Sequence, residues 1–354
     1  MSSPIDWSGR GGPIDEASLL TLSAGFVFSA VLHAAVEVEL FGALGIEPIA
    51  SAELAERLAL APRGLQRLLD ALVPLGLVTR LDDDRWQAAP VAAQLLTPSS
   101  PFARILRHQQ RHLYPLFFHL GEAVRTGAPQ PLPWQTAAYR DDLYHSLANQ
   151  PRELALFLDG MNASSRGVGT AIAAQAEVTS MARLIDLGGG GGQVAVELLL
   201  AAPSLRVDLV DFPGACDHAL AAARTAGVAD RLRAIPGDLL GTLPALRPAD
   251  AVLFSGVLGD FDDNARQTLL ARAQTLLRAD GQLLVSETLF DDDGRAPLMP
   301  ALLALNMLLA TTGGDNFTFA EWQGILARGG FGDVRVVRNH ERGLRDLLIA
   351  RRPR

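Results

Sequence analysis

A run of glycines and three acids are the residues of this 354-residue chain whose types and spacing point to chemistry. Gly188 to Gly192 are five consecutive glycines, preceded by the apolar run Leu184-Ile185-Asp186-Leu187 and followed by a helix-forming stretch, Gln193 to Ala201. A second apolar run, Val207 to Val210, ends on Asp211. Strand, glycine turn, helix, strand and acid make the first βαβ unit of a nucleoside-binding sheet. A backbone without Cβ takes positive φ and lets a ligand rest against the main chain. Asp211, at the tip of the second strand, is placed to accept hydrogen bonds from two ribose hydroxyls. Asp186 stands two residues before the first glycine, and Asp238 closes the next apolar run in Ile235-Pro236-Gly237-Asp238.

These acids bear on which nucleoside is bound. Gly190-x-Gly192-x-x-Ala195, with Asp211 downstream, also satisfies the dinucleotide fingerprint. Asp186 would repel a pyrophosphate but attract the ammonium of a methionine moiety, and Asp238 could face an adenine amino group. Three acids ending three successive strands suit a cationic, phosphate-free ligand. S-adenosylmethionine is therefore expected ahead of a nicotinamide dinucleotide.

The elements that must position these residues follow in order. Strands are expected at Arg231–Ile235, Asp250–Ser255, Gln282–Glu287, Val334–Val337 and Leu347–Ala350, with helices between them such as Ala265 to Leu277. That alternation predicts a mostly parallel sheet covered on both faces. Ligands bind at the carboxyl ends of such strands. The candidates are thus Asp186, Asp211, Asp238, the stretch from Ser255 to Asp260, and Glu287. Asp291-Asp292-Asp293-Gly294 lacks the alternating spacing of a calcium loop and reads as a solvated turn.

Upstream, Ser51 is expected to N-cap a short amphipathic helix, and Pro62 to begin another that runs through Arg63 to Leu75 and stops at Gly76. Leu77–Arg80 and Arg85–Gln87, separated by three aspartates, read as a two-stranded wing. The outline is a winged helix, but residues 1–95 hold six arginines against twelve acids. A DNA-reading surface needs cations facing phosphate, so oligomerisation is the expected role. Ala17 to Val36 carries no charge and is long enough to span a bilayer, yet Ser18, Thr21, Ser23, Gly25, Ser29 and His33 interrupt it. A helix in a subunit interface is expected rather than a membrane span. Residues 101–178 read as helical and hold many of the chain's aromatics, among them Trp134, as the roof of a substrate pocket. His108 and His112 have i, i+4 spacing but lack a third ligand in motif spacing, so no metal site is expected.

Composition narrows the function classes. The net charge of −8 argues against a nucleic-acid partner. The single cysteine, Cys216, excludes an internal disulfide framework and fits a reducing cytoplasm. All 31 basic residues are arginine, which removes pyridoxal Schiff-base, P-loop and kinase lysine chemistry. The opening Gly/Ser/Pro-rich residues read as a loose tail without the layout of a signal peptide.

Taken together, His33-Ala-Ala-Val-Glu-Val-Glu-Leu-Phe, Leu68-Leu-Asp-Ala-Leu-Val-Pro-Leu-Gly-Leu-Val, the Asp186 glycine stretch, Val210-Asp-Phe-Pro, Ser255-Gly-Val-Leu-Gly-Asp-Phe-Asp-Asp, Gly281-Gln-Leu-Leu-Val-Ser-Glu and Thr312-Gly-Gly-Asp-Asn-Phe-Thr resemble the plant-type small-molecule O-methyltransferases and their bacterial relatives in polyketide and antibiotic tailoring. The resemblance implies an α/β fold. This is a Rossmann-like seven-stranded methyltransferase sheet with helices on both faces, preceded by a mostly helical winged-helix dimerisation domain. Its expected divisions are a tail (1–15), the dimerisation domain (16–100), a helical linker and pocket roof (101–178), and the S-adenosylmethionine-binding domain (179–354). A homodimer acting on a small molecule is implied.

By that likeness, Asp211 holds the ribose, Asp238 and Leu239 flank the adenine, and Phe261 stands near it. Ser165 and Ser255 match positions close to the methionine end, and Asp186, Gly188, Gly190, Gly192 and Phe212 complete the cofactor set. Trp134, Met161, Gly259, Asn306, Met307 and Asn316 form the substrate set. One departure bears on the reaction. The family's His-Asp-Trp reads Gly259-Asp260-Phe261 here, so the histidine that deprotonates a phenol is replaced by glycine, while Asn316 replaces a second family acid and Glu287 is retained. Methyl transfer by proximity and orientation is the expected route, with Asp260 or Glu287 assisting. C- or N-methylation, or a non-methylating reaction that keeps the cofactor, are the alternatives.

Overall fold

The computed structural model describes residues 14–135, 143–175, 177–293 and 298–352. The chain divides into two compact units, the first extending to His112 and the second running from Leu113 to Arg354. The boundary falls inside the helical stretch 101–178, so the helix Pro101–His108 packs with the first unit.

In the first unit the uncharged stretch forms two helices, Glu16–Ser23 and Gly25–Glu37, meeting at Ala24. Helices Ser51–Arg57 and Pro62–Leu72 follow. The second ends at Leu72, earlier than expected, and the chain passes through a turn to Gly76. Ser51 is the first helical residue rather than the cap, and its hydroxyl donates instead to the carboxylate of Asp84. The wing has three strands, not two: β1 (Ile49–Ala50), β2 (Val78–Arg80) and β3 (Arg85–Ala88) pair antiparallel in the order β1-β3-β2. Two residues are too few to show a period-two pattern, so β1 is invisible until β3 offers its edge. Trp86 on β3 is wholly buried against Leu54, Leu69 and Leu72.

The second unit is built on seven strands: β4 (Arg183–Leu187), β5 (Arg206–Asp211), β6 (Leu232–Pro236), β7 (Ala249–Ser255), β8 (Leu277–Glu287), β9 (Gly332–Val337) and β10 (Asp346–Arg351). Their order is β6-β5-β4-β7-β8-β10-β9. All neighbours run parallel except β10, which is antiparallel to both β8 and β9. Leu184 and Leu209 pack into one apolar layer, while Ile185, Leu187 and Val210 pack into the other. Helix Gln193–Ala201 covers the first layer, and helices Asp263–Leu276 and Phe319–Arg328 cover the second. Burial on both faces is why these strands read as continuous apolar runs.

Two consequences position the site. The strand order reverses between β4 and β7, and the crevice at that switch point is where open α/β sheets bind ligands. The antiparallel β10 pairs Asp346 with Glu287, so the beginning of β10 arrives at the edge where β8 ends.

Candidate functional site at the carboxyl edge

The glycine run is shaped as a cradle. Gly188, Gly190 and Gly192 all have positive φ, which side chains disfavour, while the two between them have no room for a side chain. A Cβ on Gly189 would sit 2.7 Å from Asp186 Oδ2, so the turn folds directly over that carboxylate. Asp211 closes the cradle from β5, where its carboxylate accepts the Gly190 amide at 2.8 Å and the Phe212 amide at 2.7 Å. Burial raises the Asp211 pKa, and those two amides oppose the rise. A carboxylate has about four acceptor sites, so capacity remains for hydroxyl donors.

Asp186 is in a different state. It is the fourth residue of β4, wholly buried, and neither oxygen has a hydrogen-bond partner among the described residues. Burial pushes its pKa up to about 7, Asp211 adds to the rise, and Arg345 opposes it. A buried carboxylate without a protein donor beneath a glycine cradle fits a cationic ligand and does not fit a pyrophosphate.

Asp238 lies two residues past β6, and its side chain is 38% exposed. One oxygen accepts the Leu240 amide at 2.9 Å, and the other lies 3.5 Å from His145 Nε2. The His145 ring meets Phe212 edge-on, with centroids 5.1 Å apart. Leu239 reaches the cradle, where a Cβ on Gly188 would sit 3.2 Å from its Cδ1.

At the ends of β7 and β8 the charges converge. Glu287 Oε1 accepts the amides of Val257 at 3.0 Å and Gly259 at 3.3 Å. Burial raises the Glu287 pKa, and Arg345 with the backbone amides holds it down. Asp260 accepts the Tyr144 hydroxyl, and burial together with the Glu287 charge pushes its pKa up to about 7. Tyr144 is in turn packed edge-on to Phe157 and against Phe261. A Cβ on Gly259 would lie 3.2 Å from the Asp315 carbonyl and 3.5 Å from Glu287 Oε2, so this glycine lets the chain pass close beside the Glu287 carboxyl group.

Ser165 and Ser255 are joined by a residue that the sequence did not suggest: Arg345 Nη2 donates to both hydroxyls, at 3.0 and 3.1 Å. Tyr144 and His145 also went unselected as site residues, since neither closes a strand. The substrate candidates are more dispersed. Met161 lies in the last turn of helix Pro151–Ser164 and accepts the Ser165 amide at 3.0 Å. Trp134 packs with Leu143 between two small apolar clusters. Asn306 and Met307 share helix Leu298–Ala310, where Asn306 Oδ1 is buried and finds no partner among the described residues. Asn316 is fastened to the Thr288 carbonyl at 2.9 Å. Among the described residues no hydrogen bond or ion pair joins Met161, Asn306 or Met307 to the carboxylates. His108 and His112 face each other at 2.9 Å between Nδ1 atoms, and burial drives the His108 pKa down to about 3. Among the described residues no three acids, histidines or cysteines cluster as a metal site.

Sheet order, glycine cradle, strand-end acids and the unsatisfied Asp186 define an S-adenosylmethionine-dependent methyltransferase with a Rossmann-like catalytic unit. The O-methyltransferase domain matches residues 117–332, and the O-methyltransferase dimerisation domain matches residues 20–98. The chain belongs to this O-methyltransferase family. It is 34% identical to the tetracenomycin polyketide synthesis 8-O-methyl transferase TcmO of Streptomyces glaucescens, over 97% of this chain and 98% of that one. Identity to the 3-hydroxy-5-methyl-1-naphthoate 3-O-methyltransferase of Streptomyces sahachiroi is 33%, over 94% of each. Human N-acetylserotonin methyltransferase, solved in complex with S-adenosylmethionine, superposes with a TM-score of 0.85 at 26% identity, over 98% of this chain and 100% of that one. The dinucleotide alternative is thereby set aside.

Proposed function

We propose that this enzyme methylates a hydroxyl of a small aromatic, polyketide-type metabolite, and does so without an imidazole base. The observation that carries the second half is Gly259, a bare backbone position flanked by Asp260 and Glu287. The two Streptomyces relatives, named for oxygen methylation on polyketide and naphthoate substrates, support the substrate class.

In this reading the cradle, Asp211, Phe212, Asp238, Leu239 and Phe261 hold the adenosine portion, and Asp186 receives the ammonium. Bound S-adenosylmethionine supplies a methyl group made electrophilic by its sulfonium. The site would hold the acceptor hydroxyl beside the transferable methyl, and proximity and orientation would carry much of the acceleration. Asp260 takes the hydroxyl proton. Its pKa of about 7 suits a base working near neutrality. Tyr144 donates a hydrogen bond that favours the ionised form of Asp260, and Glu287 is held in place by the Val257 and Gly259 amides. Trp134, Met161, Asn306, Met307 and Asn316 shape the acceptor pocket, where the unsatisfied Asn306 Oδ1 offers an acceptor to a second substrate hydroxyl. The first unit is proposed to join two copies as a homodimer. Leu19, Leu20, Leu22, Phe26 and Val27 leave an apolar surface exposed along its opening helices.

Incubation with isotopically methyl-labelled S-adenosylmethionine and a panel of hydroxylated naphthoates and anthraquinones tests this, with nuclear magnetic resonance locating the new methyl. A methyl ether is expected. A methyl on carbon or nitrogen, or an altered acceptor with no label, would replace the proposed reaction.

A further inference from the structure

Behind the turn that carries Asp260 stands a buried arginine with no part in the reaction so far described. Arg266 lies in the first turn of helix Asp263–Leu276 and is only 5% exposed. Its Nη1 donates to the carbonyl of Phe261, the residue after Asp260. Its guanidinium lies over the Phe317 ring, with Cζ 4.6 Å from the centroid. Nε is buried without an acceptor among the described residues. Burial disfavours the charge, while Asp263, Asp262 and Asp315 favour it from nearby. The helix packs on the sheet through Leu269, Leu270, Ala273 and Leu276, so its own docking does not call for a cation at this position. Burying a guanidinium on a carbonyl and a ring is costly, and the contacts it makes show what it does there.

Those contacts join two loops that meet at Gly259. One, 256–262, follows β7 and holds Asp260. The other, 311–318, follows the helix Leu298–Ala310 that carries Asn306 and Met307. They touch backbone to backbone, where the Asp315 amide donates to the Gly259 carbonyl at 2.8 Å. A Cβ on Gly313 would lie 2.7 Å from Asp262 Cβ, and one on Gly314 would lie 2.9 Å from the Gly259 carbonyl. Thr311 ties the second loop to its helix, its hydroxyl donating to the Met307 carbonyl at 2.8 Å and accepting the Gly314 amide at 3.2 Å. The glycines at 259, 313 and 314 bring no side chains to hold this spacing. Arg266 grips the first loop through a carbonyl and the second through a ring. That ring is itself braced, edge-on to the buried Trp322 with centroids 5.4 Å apart.

We propose that Arg266 is a positioning residue for methyl transfer, bolting the Asp260 turn to the loop behind the acceptor helix and so fixing where the carboxylate stands relative to the acceptor hydroxyl. This rests on the reading of Asp260 as the base, and it adds the residue that aims that base. Arginine suits the task because its planar group can donate along an edge while its face lies on a ring. Asp260 is met by the Tyr144 hydroxyl and by the charges of Glu287 and Arg345. A turn freed from Arg266 carries Asp260 away from the Tyr144 hydroxyl, and the contact that favours its ionised form is lost.

Steady-state kinetics across pH on the full-length enzyme tests this, with Arg266→Met, Tyr144→Phe and the double variant compared. Arg266→Met is expected to lower kcat by about 10-fold to 100-fold, the effect of misplacing a reacting group by about 1 Å. Its rise of kcat with pH should move above that of the wild type, while S-adenosylmethionine affinity, read by titration calorimetry, stays unchanged. In the double variant the rise should move little further than in Tyr144→Phe, because both changes act through one contact. Phe317→Leu removes the ring and leaves the carbonyl contact, so it should shift the profile the same way by less. It carries the test if Arg266→Met does not fold, and an unchanged profile there counts against the positioning role. A wild-type profile in Arg266→Met, additive shifts in the double variant, or a loss of cofactor affinity as large as the loss of kcat overturns it. A wild-type enzyme whose kcat does not vary with pH would instead remove Asp260 as the base, and the positioning role with it.

Discussion

The two ends of the carboxyl edge carry the same kind of residue in opposite states. At the β5–β6 end, Asp211 has two backbone donors, and Asp238 is partly exposed with a donor from its own turn. At the β4–β7–β8 end, Asp186, Asp260 and Glu287 are enclosed around one arginine, and among the described residues no donor meets Asp186. Donors, not residue type, separate Asp211 from Asp186, since burial raises the pKa of both. A carboxylate supplied with donors can recognise a neutral hydroxyl or amine at little cost. One buried without donors gains proton affinity until a cation or a reacting proton satisfies it. The first end is thus suited to recognition and the second to charge capture and proton transfer.

The largest test of this contrast is Asp186→Asn. Removing the enclosed anion should lower S-adenosylmethionine affinity by about 100-fold or more, as for other broken buried charge pairs. The same change should stabilise the ligand-free protein. The Asp186 carboxyl ionises near 7 in the folded chain against an ordinary 3.8, so its stabilising effect is complete below about 4 and is lost as pH rises toward 7. Thermal melts of the free wild-type protein should therefore fall between about pH 4 and 7, and the fall should shrink in Asp186→Asn. Unchanged affinity and an unchanged pH slope would erase the distinction between the two ends.

Next in size is Asp260→Asn, expected to reduce kcat by about 10²-fold to 10⁴-fold, the usual worth of a positioned base. Wild-type kcat should rise with pH through about 7, and Tyr144→Phe should move that rise to higher pH because the lost hydrogen bond favoured the ionised carboxylate. A profile flat across this range would show that no carboxylate accepts the proton. Gly259→His should leave kcat level or lower. Its new Cβ would meet the Asp315 carbonyl at 3.2 Å and fill space proposed for the acceptor. A marked gain in rate would show that the native site merely lacks an imidazole. The smallest effect belongs to Asp238→Ala at the solvated end, where exposed charge contacts are weak. A loss of about fivefold or less in cofactor affinity is expected, and a loss matching Asp186→Asn would break the comparison.

Much of this architecture is written in local pattern. The helix Gln193–Ala201 begins and ends where the residues after the glycine run indicate, and β4, β5 and β7 fall where apolar runs end in Leu187, Asp211 and Ser255. The central strands β4, β5 and β7 are buried along most of their length, so apolar residues dominate them and they are easily found. β1 has only two residues and exists because β3 offers its edge. Ser51 looks like a cap, but capping depends on backbone geometry at one residue, and here Ala50 holds that place.

The site divides in the same way. A search for residues that close strands finds Asp211, Ser255 and Glu287, because parallel strands deliver their last residues to one edge. It passes over Arg345, which precedes the antiparallel β10 and reaches that edge from the other direction. It also passes over Tyr144, whose meeting with Asp260 spans 116 positions of sequence. The sequence by itself determined the sheet and the glycine cradle, since each is a property of neighbouring residues. Only the tertiary structure decided which carboxylates are buried and which cation stands among them, because burial and pairing depend on what the fold brings from far along the chain.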